Sequence, residues 1–230
     1  MSGEVLLNKQ RIGDFNGGLG GSSQQGSGEE SDAIARRSKT GLRILMAVIS
    51  SLFFLFIVAF MIRSQLSDWE HLSAPWKPLA NPWQLWVNTA LLVLASICLQ
   101  WARWAARRNN IKQLVEGLLL AGVFSIAFVL GQLWVWQTLV QLGYYVASNP
   151  SNSFFYLFTG LHALHLLGGL VAWLKTTIRA WRGDAIQQLT LSTELCAMYW
   201  HYLLGLWLVL LGLLTSSPET YAFLARLCGF

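Results

Sequence analysis

Four side chains combine chemistry with an otherwise apolar setting: His162, His165, Glu194 and His201. The two histidines at 162 and 165 are three apart and so share one face of a helix, and Glu194 and His201, seven apart, nearly share one as well. If the helices that carry them are neighbours, the four can meet. Neutral imidazoles from two helices could ligate a metal ion or a haem iron. A carboxylate beside an imidazole could relay a proton. The same groups could instead hydrogen-bond across helices or to lipid headgroups and fix the packing. Depth counts against haem, because His162 falls about a third of the way in from one end of its helix while His201 falls nearer the opposite membrane face. A relay lacks a continuous chain of acids across the membrane. Packing and headgroup contact are therefore the favoured use. Gly160, Gly168 and Gly169 in one segment and Gly205 and Gly212 in the other remove side-chain bulk, which predicts close approach of the two backbones and a polar seam between them.

The elements that must position these residues are set by composition. Of 230 residues, 54% are hydrophobic and only 12% charged, with a mean hydropathy of +0.46, too little polar surface to cover a soluble globule. A bilayer core about 30 Å thick needs roughly 20 apolar residues per helix. Spans are expected at about 44–62, between Arg43 and Arg63; at 82–102, opened by Asn81-Pro82 and closed by Arg103; and at 191–214, stopped by Ser216-Ser217-Pro218. The 58 uncharged residues between Glu116 and Lys175 are too many for one helix. The cluster 148–153, Ser-Asn-Pro-Ser-Asn-Ser, divides them into spans at about 117–141 and 154–174. The predicted fold is all-α: a polytopic membrane protein with five transmembrane helices in a bundle over 42–217, preceded by a disordered Gly/Ser-rich tail (1–41) and followed by a short periplasmic segment (218–230). The tail's Gly and Ser runs and its acids bury too little apolar surface to order it. No long apolar core precedes residue 44, which counts against a cleaved secretory signal.

Five spans put the termini on opposite sides, and Lys and Arg choose the sides. With the N-terminus inside, thirteen basic residues lie in inner segments, among them Arg36, Arg37, Arg103, Arg107, Arg108, Lys112, Lys175 and Arg182, against three outside, Arg63, Lys77 and Arg226. The pI near 9.3 thus reports orientation and anionic headgroups, not nucleic acid. Tryptophans agree: Trp69, Trp76, Trp83, Trp86, Trp134 and Trp136 fall at the outer boundary, and Trp101, Trp104, Trp173 and Trp181 at the inner one. There is no phosphate-binding loop, no dinucleotide glycine fingerprint and no CxxC pair. Cys98, Cys196 and Cys228 read as small packing residues.

Two stretches are more specific. Phe154-Phe155-Tyr156-Leu157-Phe158-Thr159-Gly160-Leu161-His162-Ala163-Leu164-His165, followed by Gly168, resembles the pattern of subunit III of haem-copper respiratory oxidases: two aromatics, then Thr-Gly-x-His-Gly-x-His. Glu194, then Met198-Tyr199-Trp200-His201-Tyr202 and Trp207, resembles the same family's last helix, Glu followed by Trp-Tyr-Trp-His-Phe and a later Trp. Asn88-Thr89 with Leu92 and Leu94-Ala95-Ser96 is a weaker echo of its Leu-Asn-Thr helix. The likeness runs over roughly 43–216 and is to the five-helix form, which lacks the first two helices.

That resemblance implies a subunit without catalytic residues, metal or cofactor of its own. It would pack on catalytic subunit I, with subunit II in the same complex, retain phospholipids in a cleft, and support proton uptake and durable turnover during oxygen reduction. Haem and copper are expected in the partner, and the electron donor, cytochrome c or quinol, would dock elsewhere. The expected location is a bacterial cytoplasmic membrane. Glu194, His201, His162 and His165 are the candidate seam, and Thr159, Gly160, Tyr199, Trp200, Trp207 and Asn88 are the motif residues. Three acids usual in the family fall on Ser51, Val140 and Leu204 here. Two other readings use the same residues: an accessory protein of nitric oxide reductase with this fold, and a self-standing b-type cytochrome.

Overall fold

The computed structural model describes residues 21–64, 83–145 and 150–216. The described residues form five helices: α1 (Gly21–Ser64), α2 (Trp83–Arg107), α3 (Ile111–Gln141), α4 (Pro150–Arg182) and α5 (Ile186–Thr215). No strand occurs among them. Each helix is long and apolar enough to cross a membrane, so the five expected spans are all present. Residues 218–230 lie outside the described part.

The helices overrun the expected spans at most ends, because the charge-free core marks the hydrocarbon and backbone hydrogen bonding continues into the headgroup layer. α2 ends at Arg107 rather than Ala102, and α4 runs on through Lys175 and Arg179 to Arg182. Basic residues suit a helix C-terminus, whose carbonyls are electronegative. The largest departure is at the N-terminus: residues 21–41, expected as disordered tail, are helical. Nucleation is the costly step of helix formation, and a membrane-inserted helix supplies the nucleus from which polar sequence can continue. Residues 1–20 of that tail lie outside the description.

The described residues divide into two units, one up to Ile44 and one from Leu45 onward. In the first, the helical residues 32–43 carry Asp32, Arg36, Arg37, Lys39 and Arg43. In the second, α2, α3, α4 and α5 form an antiparallel ring in which α2 touches α3 and α5, and α4 touches the same two. The turn from α2 to α3 is short. Asn109 takes a left-handed φ of 57° and the Asn110 side chain caps α3 by accepting from Gln113 N at 3.2 Å. The turn before α5 uses Gly183 at φ 75°, a conformation that glycine adopts without penalty.

The span part of α1 lies at the edge. Ile49, Phe53, Phe60 and Met61 are its buried residues, one stripe at helical spacing. That stripe meets α4 through Phe53 against His165 (ring centroids 5.7 Å) and Phe60 against Phe154 and Phe158 (5.4 and 6.0 Å). Ser50 and Tyr202 exchange a hydroxyl contact of 2.9 Å, tying α1 to α5.

Lipid replaces water as the outer solvent, and the polarity pattern follows. Val123, Ile126, Leu130, Leu164, Val171 and Val209 are exposed, while Asn88, Thr89, Gln132, Thr159, His162 and Thr193 are buried. With no water at membrane depth, polar groups go inward to find partners.

Candidate functional site

The bundle interior contains two polar regions. At the end of the ring where α2 begins and α5 finishes, all four ring helices contribute to one layer. Asn88 of α2 donates through Nδ2 to Gln132 Oε1 of α3 at 3.3 Å. Trp207 of α5 donates its indole N–H to Thr89 Oγ1 at 2.9 Å, and Thr89 passes its own hydrogen to Leu85 O at 2.7 Å. His162 of α4 completes the layer. Its ring lies 5.1 Å from the Trp207 ring and 6.1 Å from Phe128, and Phe128 meets Trp207 edge-on at 5.1 Å. His162 is 0% exposed, and neither ring nitrogen has a hydrogen-bond partner among the described residues. Aromatic packing holds this imidazole.

Nearer the opposite end, where α2 finishes and α5 begins, the chemistry is ionic. Arg103 and Arg107 of α2 both donate through Nη2 to Glu194 Oε1, at 2.7 and 2.8 Å. They stand one turn apart on α2, so their guanidiniums converge on a single carboxylate of α5. Glu194 is 14% exposed, Arg103 26% and Arg107 52%, so the clamp reaches from the bundle wall toward the headgroups. Beside it, Thr190 donates to Ala106 O at 3.5 Å.

The expected seam between the fourth and fifth spans is therefore distributed over several contacts. Glu194 is engaged by α2. His162 sits in the aromatic layer. His165 bonds its own helix through Nδ1 to Leu161 O at 2.7 Å and faces Phe53 of α1. His201 is exposed on α5, with Nδ1 bonded to Ala197 O; a carbonyl only accepts, so that nitrogen carries the hydrogen. What joins α4 to α5 at this level is a tyrosine: Tyr199 donates its hydroxyl to His165 O at 3.1 Å. Helical spacing gives the face a residue shares, not which neighbour that face meets, which is why the partners of Glu194 could not be read from its separation from His201.

The glycines show the same limit. Gly169 does accommodate α5, since a Cβ there would stand 2.8 Å from the Trp200 ring and 3.0 Å from Tyr199. Gly168, Gly205 and Gly212 have no described atom within 4 Å of such a Cβ, and Gly160 approaches only Trp136, at 3.8 Å. These four do not make the close approach expected of them. The tight contacts occur on α3 instead: a Cβ on Gly122 would stand 2.0 Å from the Trp173 ring, and one on Gly131 2.2 Å from Asn88 Oδ1. Trp173, expected as an interface belt residue, lies over Gly122 and donates its N–H to Leu118 O at 2.8 Å.

The other motif residues are structural fixtures. Thr159 is buried, donates to Phe155 O at 2.7 Å and accepts from Trp136 Nε1 at 3.2 Å. Among the described residues Trp200 and Trp207 are the two largest fully buried side chains. Of the positions where the family usually has an acid, Ser51 bonds Ala47 O of its own helix at 3.0 Å, Val140 is exposed and Leu204 half-buried. Cys98 and Cys196 are free thiols, Cys196 lying 3.8 Å from Thr176 Oγ1. Among the described residues no group of three or more His, Cys, Asp or Glu side chains could hold a metal ion.

Sequence reasoning missed Arg103 and Arg107 as the partners of Glu194. A signal existed: two arginines at i, i+4 at the end of an apolar span, and a lone carboxylate near the start of another that enters from the same side.

Comparison with known proteins agrees with this architecture. The family model described as cytochrome c oxidase subunit III matches residues 22–215. Cytochrome c oxidase subunit 3 of Drosophila melanogaster is 29% identical over 178 residues, covering 74% of this chain and 67% of the fly protein. That of Anopheles quadrimaculatus is 30% identical over 179 residues, with the same two shares. A Mycobacterium tuberculosis chain named "Probable cytochrome c oxidase subunit 3" is 29% identical over 130 residues, covering 56% of this chain and 64% of its own length. The chain thus spans about two thirds of these relatives, and the match runs through all five helices and both polar regions. It belongs to the cytochrome c oxidase subunit III family.

Proposed function

We propose that this chain is a non-catalytic subunit III of a haem-copper terminal oxidase, packing on catalytic subunit I beside subunit II, retaining phospholipids and supporting proton uptake during oxygen reduction. The observation that carries this reading is how the titratable side chains are used. The two regions that could do chemistry are spent on holding four helices together: Glu194 on two arginines, and His162 inside an aromatic layer. A rigid bundle with a lipid-compatible exterior is what an accessory subunit needs. Haem and copper would reside in the partner.

The membrane is taken to be a bacterial cytoplasmic one, with the N-terminus inside and the C-terminus outside. The ends of α2 and α4 that carry Arg103, Arg107, Arg108, Lys175, Arg179 and Arg182 lie on the same side of the antiparallel ring, which supports that orientation. Glu194 with its arginines is the part of the proposed seam nearest the inner headgroups. His201, exposed on α5 in the isolated chain, is the part placed to meet a partner subunit or lipid.

The test is to tag the chain, extract it in mild detergent, identify what co-purifies and record the optical spectrum. A haem-bearing catalytic subunit should accompany it, and the chain should be colourless once separated. Haem bands travelling with the isolated chain would overturn the reading in favour of a b-type cytochrome. Co-purification with a nitric oxide reductase would reassign the partner.

A further inference from the structure

α5 presents a hydrogen-bonding group where a lipid phase has nothing to offer it. His201 stands seven residues beyond Glu194 and fourteen before the helix end at Thr215, so it lies about 10 Å along the axis from the carboxylate and about 21 Å from the other end. In a hydrocarbon core about 30 Å thick, that depth is too great for a side chain as short as histidine to bring its ring to either headgroup layer. The residue is nonetheless exposed on the bundle surface. Its Nδ1–H is committed to Ala197 O of the same helix, which leaves Nε2 as a lone-pair acceptor on an exposed ring. No described residue donates to it. Acyl chains carry no donor and water is absent at this depth, so such an acceptor is costly unless another protein supplies an N–H or O–H.

The residues that follow suit a second helix. Gly205 and Leu208, at i+4 and i+7, share the face of His201, and both are exposed, Leu208 by 47%. A Cβ on Gly205 would meet no described atom within 4 Å, so the glycine serves no contact inside the bundle. Beside the acceptor it lets another backbone come close, as small residues do between membrane helices, and Leu208 adds an apolar side chain to pack on. The exposed mid-span residues of α3 and α4 contrast with this: Val123, Ile126 and Leu130 on one and Leu164, Leu167 and Val171 on the other are aliphatic, a surface that acyl chains solvate without loss.

We propose that the His201 face of α5 is where a transmembrane helix of the catalytic subunit docks, with a side-chain N–H or O–H of that helix donating to His201 Nε2 and its backbone passing Gly205. The occupant is a protein helix and not a lipid, because only the helix carries a donor at this depth. The proposal rests on the accessory-subunit reading and names the contact through which that subunit is held.

The complex is purified in mild detergent through a tag on this chain, with a photo-crosslinking amino acid at Leu208 and, in a second preparation, at Val123. Illumination should join position 208 to the haem-bearing subunit and position 123 to it at least about ten-fold less. His201→Phe keeps a ring but removes the acceptor, and should weaken retention of the haem-bearing subunit about three- to twenty-fold, whereas His201→Gln, which keeps an acceptor, should recover most of it. Gly205→Leu should weaken retention about ten-fold or more by filling the line of approach. Gly168→Leu adds the same bulk to open space on α4 and should change retention by less than about two-fold. If a His201 variant lowers the amount of the chain itself, the crosslink at position 208 decides alone. A crosslink from position 208 to a second copy of this chain would overturn the proposal in favour of self-association. Equal losses in Gly205→Leu and Gly168→Leu, or no protein crosslink at position 208 in a complex that still contains its catalytic partner, would overturn this face only; absence of that partner from the wild-type preparation counts against the accessory role.

Discussion

The two polar regions of the bundle solve the same problem in opposite ways. Where α2 finishes and α5 begins, three charged groups are brought together, with Arg103 and Arg107 on one oxygen of Glu194. In the layer at the other end the interior is neutral: Asn88 with Gln132, Thr89 with Trp207, and His162 packed between aromatic rings. Exposure explains the contrast. The clamp's arginines are 26% and 52% exposed and can use headgroups and water for their remaining donors, whereas His162 at 0% cannot. Charge is affordable where a polar phase is within reach, and the fully buried layer uses dipoles and rings instead.

The largest effect should come from Glu194→Ala, which leaves two guanidiniums without their shared carboxylate. A fully buried pair loses about 3 to 5 kcal/mol when one partner is removed, and partial exposure lowers the expectation here to about 2 to 3 kcal/mol. Thermal unfolding of the purified complex measures it, and an Arg103→Ala/Glu194→Ala cycle should show strong coupling between the two.

Gly122→Ala should rank next. Its new Cβ would fall 2.0 Å from the Trp173 ring, an overpacking expected to cost about 1 to 3 kcal/mol. Gly212→Ala, with open space around it, should stay within about 0.5 kcal/mol of wild type. Equal effects at the two sites would contradict the assignment of close contacts to α3 rather than to the exposed face of α5.

Thr89→Val keeps the shape but removes the acceptor of Trp207, and should cost about 0.6 to 2 kcal/mol, as interhelical bonds in membranes do. The smallest effect is expected from His162→Phe. The imidazole makes ring contacts and no described hydrogen bond, and replacing an unsatisfied polar group by an apolar one of similar shape is close to neutral. A loss above about 2 kcal/mol would show that this histidine is held by something besides aromatic packing.

Much of this molecule was legible in the sequence, for a physical reason. Bilayer thickness fixes helix length, so runs such as Ile44 to Ile62 and the 58 uncharged residues after Glu116 announce spans directly. The motifs around Thr159 and Trp200 lie on α4 and α5 as expected. Pairing between helices was less legible. Spacing pairs Glu194 with His201, yet it is held by Arg103 and Arg107, separated from it by more than eighty residues. Gly205 and Gly212 suggested an interface, yet they face outward, while Gly122 and Gly131 carry the tight approaches. A helix's periodicity reports which residues share a face; only tertiary structure decides what that face meets. The helical continuation of α1 back to Gly21 was hidden for a related reason, since composition describes an isolated segment and not one attached to a formed helix.

The accessory role proposed for this chain is to protect an oxidase without performing its chemistry. The most direct test is to purify the complex with and without it and to follow oxygen consumption through many turnovers. The account predicts that the complex lacking the chain keeps its haem spectrum and its initial rate, then loses activity after far fewer turnovers. An initial rate of zero with haem lost, or a lifetime unchanged by removing the chain, would contradict it.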